Sequence, residues 1–309
     1  MKWADYVKTC IEQTNHEACR KYFDSAVEFI RNYADNAGIK NLVIGVSGGI
    51  DSAVVASMAA AAGVGTTYLI NMPSGPSSSP VRDRAAALAA GLQKQFGSTR
   101  YDIAPIHALL ESAIRAVPPK LPDESHATIE NLQSRLRSVI LMAVANSVNG
   151  IVLNTGNASE DLQNYYTLYG DSIGAFTPIG YLTKGEVVAL AAWISANYGD
   201  CIPQEIIVGV PTAELSFGQE DERELGRPYS LIDTAIYMLA WEDPLSIGLD
   251  RERLFLVEGD VFNALCEEFT VEEQIATEEH LAKLYADSGW KRGQAAPPLL
   301  IDAIGRAQL

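Results

Sequence analysis

Leu42-Val43-Ile44-Gly45-Val46-Ser47-Gly48-Gly49-Ile50-Asp51-Ser52 is the stretch from which the fold can be read. Its first five residues are apolar without alternation, the pattern of a strand covered on both faces. Ser47-Gly48-Gly49 breaks the strand, and the Ala-rich run from Ser52 to Ala62 reads as a helix that stops at Gly63. Strand, glycine turn and helix in direct succession make the first half of a βαβ unit. In an open parallel sheet, ligands bind where strands end and helices begin, so this turn is the first candidate site.

The alternation continues outward. Residues 1–38 read as helix, with Val27, Ile30 and Tyr33 at helical spacing and Gly38 as a stop. Thr66-Thr67-Tyr68-Leu69-Ile70 reads as a second strand meeting the polar Asn71. Pro73-Ser74-Gly75-Pro76-Ser77-Ser78-Ser79-Pro80 reads as loop, and Pro80 opens a helix running to about Phe96. Tyr101-Asp102-Ile103 is a third strand. Thr128 to Val148 is a long amphipathic helix with Leu132, Leu136, Val139, Ile140 and Ala143 on one stripe. Gly150 to Asn154 is a further buried strand, and Lys184 to Tyr198 a helix closed by Gly199. Residues 222–309 read as mainly helical. The expected fold is α/β: a Rossmann-like open parallel sheet with helices on both faces, a helical N-terminus over 1–38 and a helical extension over 229–309. No linker splits the chain, so residues 1–309 are expected to form one domain.

Composition narrows the function. The 309 residues carry 23 Lys and Arg against 39 Asp and Glu, a net charge of −16. That balance argues against non-specific nucleic-acid binding, which needs clustered cations. No apolar run approaches the roughly 20 residues of a membrane span. The polar first twenty residues do not resemble a signal peptide. The scattered Cys10, Cys19, Cys201 and Cys266 read as reduced thiols of a cytoplasmic protein, with a Cys10–Cys19 link as the alternative, and without a CxxC pair a structural zinc site is not expected.

The turn at 47–52 suits an anion. Gly48 and Gly49 let the backbone approach a phosphate, the following helix supplies N–H groups, and Ser47 and Ser52 add hydroxyls. It is neither of the common glycine-rich nucleotide motifs, and no Lys occurs in residues 41–93. Asp51 would repel a phosphate unless a metal lay between them, and a hard divalent cation such as Mg²⁺ resolves the conflict. An ordinary strand–helix turn with Asp51 near the cap is the plainer alternative.

S-G-G-x-D-S after an apolar strand resembles the pyrophosphate loop of the N-type ATP pyrophosphatases, a group that includes NAD, GMP and asparagine synthetases. Further segments resemble NAD synthetases: Asn131-Leu132-Gln133-Ser134-Arg135-Leu136-Arg137, Leu153 to Glu160, Tyr165 to Asp171, Pro178 to Lys184, Pro211-Thr212-Ala213-Glu214-Leu215, and Gln219 to Asp233. They follow the family's order from about residue 42 to 233. The resemblance implies the adenine nucleotide alpha hydrolase-like fold.

The resemblance also implies the chemistry. An ammonia-dependent NAD synthetase joins ATP, deamido-NAD and ammonia through an acyl-adenylate, releasing pyrophosphate and AMP. Ser47, Gly48, Gly49, Asp51, Ser52 and Thr155 are the implied ATP contacts. Asn131, Arg135, Tyr165, Thr167, Lys184 and Thr212 are the implied substrate contacts. Asp51 and Glu160 would share Mg²⁺, Lys184 would offset charge at the α-phosphate, Thr212 would donate to the acyl group, and Asp171 stands near the base for ammonium. Arg135 and Arg137 lie two apart on a helix, so they point to different faces. A homodimer is implied, with ammonia free or supplied by a separate glutaminase.

The chain departs from the family pattern at Val208-Gly209-Val210, where a Lys is usual, at Asn164 for Gly, at Ala175 for Asp and at Trp290 for His. The stretch through Pro178-Ile179-Gly180 is nearer the branch fused to a glutaminase. Two other readings stay open: an amide ligase of the same group acting on a different acid, and a catalytically silent nucleotide-binding protein.

Overall fold

A computed structural model describes residues 1–74, 79–117, 126–213, 215, 219–242, 247, 255–302 and 305–309, with backbone only at 79–82, 126 and 260. The loop read over 73–80 therefore lies partly outside the described residues, as does Glu214.

Four strands form one parallel sheet in the order β3-β2-β1-β4: β1 Asn41–Gly45, β2 Thr67–Asn71, β3 Thr99–Ile103 and β4 Gly150–Val152. β1 pairs with β2 on one side and with β4 on the other, with Val43 opposite Tyr68 and Val152. The chain order reverses between β1 and β4, which opens a crevice at their carboxyl ends. The two motif loops, 46–49 and 153–157, leave the sheet there side by side.

Alternation along β1 sends Leu42 and Ile44 to one face and Val43 to the other. The first face is covered by α2 (His16–Ala37), α3 (Ile50–Ala62) and α8 (Lys184–Asn197). The second is covered by α6 (His126–Ser147) through Leu136, Ile140, Leu141 and Ala145. α8 is buried on nearly every side, wrapped by α1 (Trp3–Glu12), α2, α3 and α11 (Tyr229–Glu242).

The glycine stops are in place: Gly38 and Gly63 close α2 and α3 in the left-handed conformation. The helical N-terminus consists of two helices, parted where Asn15 leaves the helical path and caps α2 by accepting from the Ala18 N–H. One expectation needs correction. The stripe on α6 is displaced, with Val139 and Ala143 exposed and Ser134 and Ser138 facing inward. Both hydroxyls find acceptors, on Asp171 and on the Gly170 carbonyl, which makes their burial tolerable. Among its described residues the C-terminal region is mainly helical, and Leu300–Ile301 and Ala307–Gln308 pair as an antiparallel ribbon. No described helix is long and apolar enough to cross a membrane.

Gly91, inside α4 (Ser79–Phe96), touches the segment after α8: a Cβ there would stand 2.4 Å from the Cys201 carbonyl oxygen. Gly→Ala in an exposed helix gains about 1 kcal/mol. Here the backbone contact reverses the sign, so Gly91→Ala should destabilise by about 1–3 kcal/mol in chemical denaturation, as overpacking does. A stabilised variant would contradict this packing.

Candidate active site

β1 ends in a turn whose Gly48 has φ 92, a left-handed value that favours glycine. Gly49 caps α3 without a side chain, so the first N–H groups of that helix have no side-chain partner at the cap. The Ser52 hydroxyl donates to the Gly49 carbonyl at 3.0 Å and fixes the corner. Asp51, one residue into the helix, turns toward the loop after β4.

That loop is built around two asparagines. Asn154 donates to the carbonyls of Asp171 at 2.6 Å and Ile173 at 3.0 Å, and accepts from the Gly156 N–H at 2.8 Å. Asn157 caps α7 (Ala158–Leu162) by accepting from the Glu160 N–H at 3.1 Å, while its Nδ2 donates to Asp51 at 2.8 Å. One side chain thus fixes Glu160 and Asp51 relative to each other.

Both carboxylates converge on one cation. The Lys184 ammonium lies 2.8 Å from Asp51 Oδ2 and 2.7 Å from Glu160 Oε1. It sits 5.0 Å from the centre of the Tyr229 ring. Lys184 is the first residue of α8, behind a capping box formed by Thr183 and Glu186. Its side chain is only 1% exposed, so the unfavourable position against the helix dipole is answered by two acids rather than by water. Burial pushes the ammonium down, but Asp51 and Glu160 outweigh it and hold it above an ordinary lysine. Burial likewise pushes the Glu160 carboxyl up, and the ammonium pulls it back part of the way.

Around this centre opens a cleft of about 950 Å³. Ser47, Gly48, Gly49, Asp51, Ser52, Thr155, Glu160 and Lys184 line it, as do Asn131, Tyr165, Thr167, Asp171 and Thr212. Asp171 accepts from the Ser134 hydroxyl at 2.6 Å and the Thr167 N–H at 2.8 Å, and the Thr167 hydroxyl donates to Asn131 at 2.6 Å. Tyr165 donates to Glu224 at 2.6 Å and to Asp221 at 3.3 Å.

Arg135 is the exception among the expected residues. It is exposed, donates to the Leu168 carbonyl at 3.2 Å and lies outside the cleft, whereas Arg137 lines it. The two-residue spacing sends them to different faces, as expected. Sequence reasoning also gave no role to Asn157, Asp221, Tyr229 or Asp233. Asn157, three residues before Glu160, has the spacing of a helix cap and was the most legible of these. Burial raises the carboxyls of Asp221 and Asp233, the latter to about 6. Asn164 stands at φ 56, a conformation asparagine tolerates better than most residues, so its replacement of a glycine keeps the turn.

The donor set fits a hard divalent cation. Two carboxylate oxygens already meet at one cationic point. Among the described residues no group of three or more His, Cys, Asp or Glu forms a complete metal cage. Mg²⁺ suits such a half-built site, since it takes its remaining ligands from water and phosphate.

Residues 22–247 match the family described as NAD synthase. A glutamine-dependent NAD(+) synthetase of Rhodobacter capsulatus is 35% identical over 283 residues, covering 87% of this chain and 46% of its own. An NH(3)-dependent NAD(+) synthetase of Wolinella succinogenes is 36% identical over 230 residues, covering 74% of this chain and 81% of its own. The structure of an NMN synthetase from Francisella tularensis superposes with a TM-score of 0.65 at 25% identity, covering 91% of this chain and 98% of that one. The chain spans about half the length of the first two relatives, both glutamine-dependent, at 46%. The sheet and its helices have the adenine nucleotide alpha hydrolase-like fold of these structures.

The ammonium lowers the Glu160 carboxyl, so Lys184→Met should make Glu160 titrate at higher pH than in the unaltered chain. Carboxyl ¹³C NMR across a pH series measures this. An unchanged or lower midpoint would contradict the ion pair.

Proposed function

We propose, from the premise that this chain belongs to the NAD synthase family, that it amidates deamido-NAD with ammonia at the expense of ATP. The juxtaposition of the Ser47–Ser52 turn with Asp51, Glu160 and Lys184 carries this reading. A glycine turn opening a helix receives phosphates, and two carboxylates on a cationic point suit the ion that accompanies them.

In the first step a carboxylate oxygen of the substrate bonds to the α-phosphorus of ATP as the bond to the pyrophosphate oxygen breaks. In the second, the ammonia nitrogen bonds to the acyl carbon, AMP departs with the C–O electron pair, and the nitrogen loses a proton. Such chemistry needs positioning and charge neutralisation more than a protein nucleophile. The turn and the first N–H groups of α3 bind the departing pyrophosphate, with Ser47, Ser52 and Thr155 as hydroxyl donors. Asp51 and Glu160 hold Mg²⁺, which when bound neutralises phosphate charge. Lys184 is the cation for the α-phosphate, and Thr212 donates to the acyl oxygen. Asn131, Tyr165 and Thr167 hold the substrate, and Asp171, fixed by Ser134, is the acceptor nearest the amide-forming step.

The match to the NH(3)-dependent relative over 81% of its length supports ammonia itself as the nucleophile, free or delivered by a separate glutaminase. The four free thiols support a reducing, cytoplasmic setting. The reading includes a homodimer. A second reading, formation of NMN, is supported by the likeness to the Francisella NMN synthetase.

Incubation with ATP, Mg²⁺ and ammonium, with either deamido-NAD or nicotinate mononucleotide, separates the two. The expected result is NAD, AMP and pyrophosphate in equal amounts with the dinucleotide. Amide formation from the mononucleotide alone would favour the second reading, and no pyrophosphate with either acid would contradict both. Asp51→Ala and Glu160→Ala should each lower kcat on the order of a hundredfold or more. Near-normal rates would contradict the metal assignment.

A further inference from the structure

The geometry points to Asp233 and Tyr6 as positioning residues for the Lys184–Glu160 pair, which brings helix α1 into the machinery of the site. The inference rests on the function proposed above only for its kinetic readout.

Asp233, on α11, is fully buried. One carboxylate oxygen accepts from the Ser159 hydroxyl at 2.5 Å. The other accepts from the Gly185 N–H at 2.8 Å and from the Tyr6 hydroxyl. The Ser159 oxygen in turn accepts from the Lys184 N–H at 2.9 Å. Ser159 directly precedes Glu160, and Gly185 directly follows Lys184. One carboxylate therefore clamps two backbone segments, each beside a member of the ion pair, and the 2.7 Å contact between Glu160 and Lys184 is set from behind.

The clamp is completed by a residue from outside the matched segment, which begins at residue 22. Tyr6, 1% exposed, reaches Asp233 because position 185 lacks a side chain. A Cβ on Gly185 would stand 2.4 Å from the Tyr6 hydroxyl oxygen and 2.9 Å from Cys10 Sγ. The groups facing Asp233 are Tyr6 and Cys10 on α1, Ser159 on α7, and Gly185 and Glu186 on α8, while Tyr237 on α11 faces Tyr6. Burial raises the Asp233 carboxyl, while the Ser159, Tyr6 and Gly185 donors lower it. Loss of the Tyr6 hydroxyl removes one of the three donors that keep this acid an acceptor.

The test compares Tyr6→Phe and Asp233→Asn with Ser195→Ala. The last deletes a buried hydroxyl farther along α8, bonded to the Ile202 carbonyl at 2.8 Å, and serves as a control for general packing loss. Crystal structures give the Lys184–Glu160 separation, and steady-state kinetics give kcat and KM for ATP. The pair should open beyond hydrogen-bond distance in Tyr6→Phe and Asp233→Asn. Their kcat should fall roughly ten- to a hundredfold, as misplaced groups cause, with KM within about threefold. Ser195→Ala should keep both pair and kcat.

A pair unchanged in Tyr6→Phe, or a kcat loss no greater than that of Ser195→Ala, overturns the inference. If Asp233→Asn does not fold, Tyr6→Phe decides alone. An opened pair in a chain whose unaltered form makes no amide upholds the clamp and sinks the functional reading instead.

Discussion

A buried ammonium shared by two carboxylates is the interaction on which this site depends. Lys184 is almost without solvent, and Asp51 and Glu160 reach it at 2.8 and 2.7 Å from the first turns of α3 and α7. These three residues come from the ends of β1, β4 and the start of α8. They meet only because the strand order reverses between β1 and β4 and α8 is packed against the same sheet face as α3. Burying charges is costly, and a buried pair gives weak net stability. In the function proposed above, it keeps acids and a cation ready at a place where phosphate and a divalent ion would otherwise face repulsion or desolvation unaided.

The surrounding hydrogen bonds show how that arrangement is kept in register. Asn157 ties Asp51 to the α7 cap, and Asp233 ties α7 to the start of α8. On the far wall, Ser134 and Ser138 on α6 hold the Tyr165–Asp171 segment, and Lys291 holds its first turn through the carbonyls of Asn164 and Tyr166. The family departure at Asn164 leaves this wall intact because the turn keeps its left-handed residue. Trp290 stays on the surface beside the Lys291 clamp, 68% exposed.

Much of the fold was legible because its signals are local. An all-apolar run, a pair of glycines and an Ala-rich helix imply strand, turn and helix from backbone preferences alone. Gly38 and Gly63 mark helix ends for the same reason. Asp51 stood out because an acid in an anion-binding turn is a conflict that demands a partner. What the sequence hid is long-range. Apolar periodicity misplaced the inner face of α6, since its serines are buried through acceptors some thirty-odd residues away in the chain. The choice between Arg135 and Arg137 depends on helix rotation, which spacing alone leaves open. Tyr6 gives no local signal, because its partner lies 227 residues away.

The central claim is that ATP phosphates rest on the turn after β1, with one divalent ion shared by Asp51 and Glu160. A crystal structure with Mg²⁺ and a non-hydrolysable ATP analogue measures it directly. The account predicts the phosphates on Gly48, Gly49 and the first turn of α3, a single ion bridging the two carboxylates, and the Lys184 ammonium turned to the α-phosphate. Phosphates bound elsewhere in the cleft, or an ion that touches neither carboxylate, would contradict it.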